Sequence, residues 1–323
     1  MPRLTVAVLA APEHPLPYNL SALESIADFR VTDAAGLRDA LDGAQGLLLW
    51  DFFSSALRDA WTGASSLEWV HVAAAGVDAI LFDELRASDV VLTNAHGIFD
   101  RPIAEYVLAA ILAFDKELHH SRVLQDRREW HHRDTRRTYG STALIVGAGG
   151  IGREIARVLR PLGIEVRGVG RTARESDPDF GTVVPSSDLA LHVGWADHVV
   201  AVAPLTGSTR GMFDAGVFGA MKDSAHFVNV GRGALVDEAS LVSSLENGGL
   251  AGASLDVVAV EPLPLESPLW AMPQVQISAH LSGDVTGWRD DLADQFKDNL
   301  ERWAAGRGFE HVVDKELGFV RRA

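Results

Sequence analysis

Short apolar runs rich in Val, Ile and Leu alternate with amphipathic stretches along the chain, and this alternation predicts βα units around parallel sheets, an α/β fold. In the first hundred residues strands are expected at Leu4–Leu9, Gly46–Trp50, Trp69–Ala73 and Val90–Thr93, with helical segments such as Leu37–Leu41 and Ser55–Trp61 between them. A long helix is predicted from Asp100, with Asp100 as N-cap, Pro102 in the first turn and Ile103, Val107, Ile111 and Phe114 at helical spacing. Beyond the polar segment Gln125–Tyr139 comes a second strand series: Ala143–Val146, Glu165–Val169, His198–Val202, His226–Val230, Gly252–Leu255 and Val275–Ser278. The amphipathic Gly287–Trp303 is expected to close the first domain. Two doubly wound parallel-sheet domains follow, a smaller one of residues 1–98 and 284–323 and a larger one of residues 99–283, as a 323-residue chain leads one to expect.

Hydrophobic residues make up 47% and charged residues 23%, which excludes an unfolded chain. Lys and Arg number 29 against 44 Asp and Glu, and the resulting charge of −15 argues against nucleic acid and membrane surfaces as partners. A small anionic substrate stays admissible, because a cleft can be locally positive. The chain has 0 Cys, so disulfides, thiolate metal sites and a cysteine nucleophile are excluded. With no signal peptide read at Met1–Glu13 and no apolar run near the ~18–20 residues of a membrane span, a cytoplasmic protein is expected.

Gly147-Ala148-Gly149-Gly150-Ile151-Gly152 is a GxGxxG that follows a strand and opens a helix ended by Gly163. A dinucleotide needs Gly147 for a tight turn, Gly149 for close approach of backbone to pyrophosphate and Gly152 for packing of helix on sheet, while amides at Gly150 and Ile151 meet the anion. A glycine turn without ligand and a methyltransferase-like loop are the alternatives. About 20 residues on, where NAD sites carry Asp or Glu, stands Val169-Gly170-Arg171-Thr172-Ala173-Arg174. Two guanidiniums and the Thr172 hydroxyl suit a 2′-phosphate, so NADP is expected in preference to NAD, with NAD as the alternative.

Ligands of such sheets bind beyond the carboxyl ends of the strands. Those ends carry Pro204 and Thr206, then Val230, Gly231 and Arg232, then Asp256 with Glu261 five residues on, and His280. The set suits carbonyl reduction: His280 as proton donor, Glu261 to favour and orient the imidazolium, and Arg232 to fork onto a substrate carboxylate and polarise the carbonyl of a 2-oxo acid.

These motifs resemble, in order and over nearly the whole chain, those of the D-isomer-specific 2-hydroxyacid dehydrogenase family, in particular its glyoxylate/hydroxypyruvate reductase-like members. Ala75-Gly76-Val77-Asp78 is similar to the substrate loop, Leu92-Thr93-Asn94 with Ala104-Glu105 to the hinge, and Gly147–Gly152 to the cofactor loop. Asn229–Asp237 is similar to the arginine signature, Leu255-Asp256-Val257 with Glu261-Pro262 to the glutamate signature, and Ser278-Ala279-His280 to the histidine motif. The resemblance implies a Rossmann domain inserted into a flavodoxin-like substrate domain. It implies Arg232, Glu261 and His280 as catalytic residues, Asp256 near the nicotinamide amide, and backbone around Ala75, Gly76 and Val77 on the substrate carboxylate. It also implies a homodimer, with the segment holding Glu105 and Trp130 at or near the interface. The chain departs from the family's NAD users at Gly170, where they carry Asp, and from its formate-using branch at Glu261, where they carry Gln. Trp50-Asp51-Phe52-Phe53 is bulkier than the smallest substrates require.

His119-His120 and His131-His132 are adjacent residues that would project about 100° apart on a helix, so no metal site is expected. Arg127, Arg128, Arg133, Arg136 and Arg137 form a basic cluster that either pairs with the acidic surface or draws in anionic substrate. A second class of function, an NAD(P)H-sensing regulatory protein on the same fold, would show a partner-binding extension or an altered Arg, Glu and His set.

Overall fold

Five short strands carry the first hundred residues: β1 (Leu4–Leu9), β2 (Ala27–Thr32), β3 (Gly46–Leu49), β4 (Trp69–Val72) and β5 (Val91–Asn94). They pair in parallel in the order β2-β1-β3-β4-β5, with helices α1 (Leu37–Leu41), α2 (Ala56–Ala60) and α3 (Asp83–Ala87) in the connections. This is the flavodoxin-like strand order. Leu47, Leu48 and Leu49 are wholly buried, as a parallel strand covered on both faces requires. The edge strand β2 escapes the hydrophobic pattern because only Ala27 of its six residues is buried.

The second unit starts with α4 (Asp100–Asp115) and α5 (Leu118–Arg127) and continues through β6 (Thr142–Val146), α6 (Gly150–Leu159) and β7 (Glu165–Gly170). A hairpin of β8 (Arg174–Asp177) and β9 (Gly181–Pro185) follows, then α7 (Leu189–His192), β10 (His198–Ala201), α8 (Ala215–Gly219) and β11 (His226–Asn229). The unit ends with α9 (Glu238–Glu246), β12 (Gly252–Leu255) and β13 (Val275–Ile277). The eight strands lie in the order β13-β12-β11-β10-β6-β7-β9-β8, all parallel except β8. The order reverses between β6 and β10, which places the topological switch point beside the glycine loop. Phe213 and Phe218 pack edge-on against Phe227 of β11, at 4.9 and 5.4 Å, in the core beside that sheet.

The chain then returns to the first unit with α10 (Trp288–Ala304) and a small antiparallel pair, β14 (Val313–Asp314) and β15 (Phe319–Val320). Phe296 of α10 stacks on Trp69 at 5.5 Å and 6° between planes. This computed structural model describes residues 3–321. Its two units divide after Ile98 and after Val285. The second division lies two residues beyond the expected 283/284, because Asp284 and Val285 donate amides to the carbonyls of Leu281 and Gly283 and so finish the turn they follow. Asp100 is not the N-cap of α4: Phe99 holds that position without a side-chain cap, and the Asp100 carboxylate lies against Gly150 instead. Among the described residues no helix is long and apolar enough to cross a membrane.

Candidate active site

The glycine loop between β6 and α6 is shaped by what a side chain would strike. Gly147 has φ +130°, and a Cβ there would lie 2.6 Å from the Val202 carbonyl carbon. A Cβ on Gly152 would sit 1.9 Å from the Gly147 carbonyl oxygen, and one on Gly150 would sit 2.6 Å from Asp100 Oδ2. Gly149 differs: a Cβ there would meet nothing within 4 Å. Gly149 is the N-cap residue of the ten-residue α6, so the open space in front of it adjoins the helix's first amides, which have no partner within the helix. A pyrophosphate fits this loop.

At the end of β7 the chain runs through Gly170 into exposed Arg171 and Thr172, and Arg174 opens β8. Arg174 is more than a turn residue, since its Nε donates to Asp177 Oδ2 at 3.1 Å. Asp177 is buried and also takes two bonds from Arg153 of α6, at 2.8 and 2.9 Å. The Arg153 bonds, with the Asp179 and Phe180 amides, outweigh burial and hold the Asp177 carboxyl far below the usual carboxylate range. Sequence reasoning passed over this network, which secures the hairpin next to Arg171 and Thr172. Pro204 is exposed beyond β10, and Thr206 sits in a hydroxyl cluster with Ser208 and Thr209. Val230 and Gly231 are buried after β11, where a Cβ on Gly231 would lie 2.8 Å from Leu235.

The catalytic candidates converge on the turns after β11, β12 and β13. Asn229 braces the first turn, its Nδ2 donating to the Arg232 carbonyl at 3.2 Å and its Oδ1 accepting from Gly231 N at 3.1 Å. The next residue, Gly233, is pressed against the second turn, since a Cβ there would lie 1.8 Å from the Val258 carbonyl oxygen. Val258 N in turn donates to Glu261 Oε1 at 3.1 Å, while Glu261 Oε2 lies 2.8 Å from His280 Nδ1. Burial would raise the Glu261 carboxyl, but the His280 bond and charge, the Val258 amide and the Arg232 charge together hold it below its ordinary value. An ionised carboxylate only accepts, so Nδ1 carries the proton in this bond.

His280 adopts the left-handed conformation, φ +52°, at a cost of about 1–2 kcal/mol for a residue with a Cβ. Asp256, 2% exposed, holds it there. The His280 amide donates to the Asp256 carbonyl at 2.8 Å. The Asp256 carboxylate accepts from Ser278 Oγ at 2.6 Å, Leu281 N at 2.9 Å and Ser282 N at 3.0 Å. Hydrogen bonds to a charged acceptor contribute about 1.5–3 kcal/mol each, so the three together outweigh the backbone cost. Both carboxylate oxygens are thus turned to the histidine loop.

Ala75, Gly76 and Val77 belong to the first unit, after β4. Ala75 O accepts from Asn94 Nδ2 at 2.5 Å and Val77 is buried in that unit's core, while Ala75 and Gly76 are half-buried. In the same unit Trp50 is a core residue whose indole donates to Pro15 O at 2.8 Å, and Phe53 stands exposed beside Phe52. Trp130 is fully exposed. Of the basic cluster, Arg133 pairs with Glu117 and Arg136 lies over Phe114 at 5.0 Å, so these two are tied to their own surface. His119 bonds Gln276 at 2.7 Å, and no three His, Asp or Glu side chains among the described residues come together as metal ligands.

Comparison with known proteins identifies the family. The model of the D-isomer specific 2-hydroxyacid dehydrogenase NAD-binding domain matches residues 108–282. The glyoxylate/hydroxypyruvate reductase A of Serratia proteamaculans is 30% identical over 259 residues, 78% of this chain and 82% of that protein. Among solved structures, a D-isomer specific 2-hydroxyacid dehydrogenase of Xanthobacter autotrophicus in complex with NADPH and MES has a TM-score of 0.84 at 28% identity, covering 98% of this chain and all of that one. An NADPH-dependent glyoxylate/hydroxypyruvate reductase of Sinorhizobium meliloti, in complex with NADP and sulfate, has a TM-score of 0.82 at 28% identity and covers 98% of this chain and all of that one. With the motif order, the two strand orders and the family match in agreement, the chain belongs to the D-isomer specific 2-hydroxyacid dehydrogenase family.

Proposed function

We propose that this dehydrogenase works as an NADPH-dependent reductase of small 2-oxo acids, with glyoxylate and hydroxypyruvate the first to assay, since reductases of those two acids are among its relatives. The observation that carries the reading is His280 Nδ1 held 2.8 Å from Glu261 Oε2, on strand ends of the sheet that bears the glycine loop. When bound, the reduced nicotinamide supplies hydride to the carbonyl carbon, and the oxygen that becomes an alkoxide needs a proton. His280 delivers it from Nε2, because Nδ1 is engaged by Glu261. Glu261 keeps the ring oriented and stabilises the imidazolium before transfer. Arg232 forks onto the substrate carboxylate and polarises the carbonyl. A protein that only sensed the dinucleotide would have no use for a histidine and a carboxylate held in this way.

Gly147, Gly149, Gly150, Ile151 and Gly152 hold the pyrophosphate, and Pro204, Thr206, Val230, Gly231 and Asp256 border the rest of the dinucleotide. Arg171, Thr172 and Arg174 meet the 2′-phosphate. The Asp177 bond uses only Nε of Arg174, which supports its terminal nitrogens as phosphate donors. The enzyme acts as a homodimer, a reading supported by the fully exposed Trp130 as an interface anchor, and works in the cytosol. Steady-state assays of a 2-oxo acid panel with NADPH and NADH test the whole: turnover with short 2-oxo acids and NADPH is expected, and no turnover with any 2-oxo acid overturns it.

A further inference from the structure

We propose that Tyr106 of α4 is a positioning residue for His280, acting through the Ser278 hydroxyl and the Asp256 carboxylate. The inference rests on the reading of His280 as proton donor. Tyr106 OH lies 2.6 Å from Ser278 Oγ, which lies 2.6 Å from Asp256 Oδ1. A serine has one proton to donate and an ionised carboxylate only accepts, so Ser278 donates to Asp256 and Tyr106 donates to Ser278. The direction of the chain is thereby set from the helix toward the histidine loop.

The loop it reaches has no regular structure of its own. Its shape depends on the rotamer of one carboxylate, from which Leu281 N and Ser282 N hang on one side of His280 and Ser278 on the other. Tyr106 fixes that rotamer by occupying the Ser278 lone pair, and it stands on a sixteen-residue helix, a rigid post 172 residues away in sequence. Tyr106 keeps its proton: burial first, then the Asp256 charge, raise its pKa against the lowering effect of Ser278. Among the described residues, the ionisable groups seen to bear on the imidazole include Glu261, bonded to it, Asp256 beneath its backbone, and Arg232 through its effect on Glu261.

The test is an NMR titration of the His280 ring in the full chain, assigned against His280→Ala, for Tyr106→Phe, Ser278→Ala, their double variant and Ser278→Thr. A loosened loop loses part of the Glu261 contact, so Tyr106→Phe and Ser278→Ala each move the midpoint at least ~0.3 pH lower. The double variant matches Ser278→Ala alone, since Tyr106 acts only through Ser278. Ser278→Thr keeps the hydroxyl and titrates as the parent does. In turnover, Tyr106→Phe lowers kcat ~3- to 10-fold and leaves the Kd for NADPH unchanged. A parent-like midpoint in Tyr106→Phe, or effects that add in the double variant, overturns the proposal. The titration is read without substrate, so a failure of 2-oxo acid reduction would sink the proposed function and leave this test standing.

Discussion

The glycine loop after β6 and the histidine loop after β13 lie at the carboxyl ends of parallel strands in one sheet, and they are held in opposite ways. The first keeps its shape because side chains are missing from it: a Cβ at Gly152 would overlap the Gly147 carbonyl, and one at Gly147 would strike the Val202 backbone. The second keeps its shape because a side chain from elsewhere is present, the Asp256 carboxylate that gathers Ser278, Leu281 and Ser282 around a left-handed His280. A loop defined by sterics binds a fixed anion through backbone. A loop defined by a hydrogen-bonded clamp can present one side chain at one angle, which proton transfer requires.

The contrast breaks most sharply at Gly152 and Gly149. Gly152→Ala places a methyl 1.9 Å from backbone, so it should lower Tm and raise the Kd for NADPH at least ~100-fold by shifting the loop that meets the pyrophosphate. Gly149→Ala places its methyl in open space, so Tm should hold while NADPH binding still weakens. Thermal melts and direct titration separate the two, and equal melting losses would mean that Gly149 is also a packing residue.

Arg232→Lys keeps the charge and loses the fork, so kcat/KM for 2-oxo acids should fall ~10- to 100-fold, from about 1.5–3 kcal/mol of lost charge-assisted bonding. The Kd for NADPH should stay unchanged, and a matching loss of cofactor affinity would move Arg232 onto the dinucleotide. Cofactor preference comes next. NADPH should bind at least ~tenfold tighter than NADH, the effect of one guanidinium–phosphate bond. Gly170→Asp should reverse that order at a small cost in stability, since its Cβ would sit 3.3 Å from Ala148 Cβ and Val183 Cγ1. Equal affinities in the parent would remove Arg171 and Arg174 from the site.

The smallest effect is expected at Glu261→Gln. Reduction consumes the imidazolium, so activity is lost as pH rises through the loss of that proton. Removing the Glu261 anion, which favours the imidazolium, should move the alkaline limb of kcat/KM to lower pH. On the acid side, the depressed Glu261 carboxyl contributes stability above its ordinary titration range that fades as pH falls through its lowered value. A pH–rate profile identical to the parent's would uncouple Glu261 from the acid.

Much of this was legible along the chain, for physical reasons that vary by element. Leu4–Leu9 and Gly252–Leu255 are read end to end because buried parallel strands are apolar almost without interruption. The edge elements are not: β2 is mostly exposed, and β8, Arg174-Glu175-Ser176-Asp177, buries only Asp177, so neither has an apolar period to read. Gly147–Gly152, Arg232, Glu261 and His280 announce themselves because each answers to local spacing or a strand end. Tyr106 does not. Nothing in Ala104-Glu105-Tyr106-Val107 signals a hydroxyl partner 172 residues later, and Asp100 looked like a helix cap because its contact with Gly150 belongs to packing between helices.

Proton transfer by His280 is tested most directly by the turnover of His280→Ala, with NADPH affinity determined on the same preparation. Normal NADPH binding is expected, with kcat for 2-oxo acid reduction reduced ~10²- to 10⁴-fold. Turnover equal to the parent's, with NADPH bound equally well, would contradict proton transfer by His280.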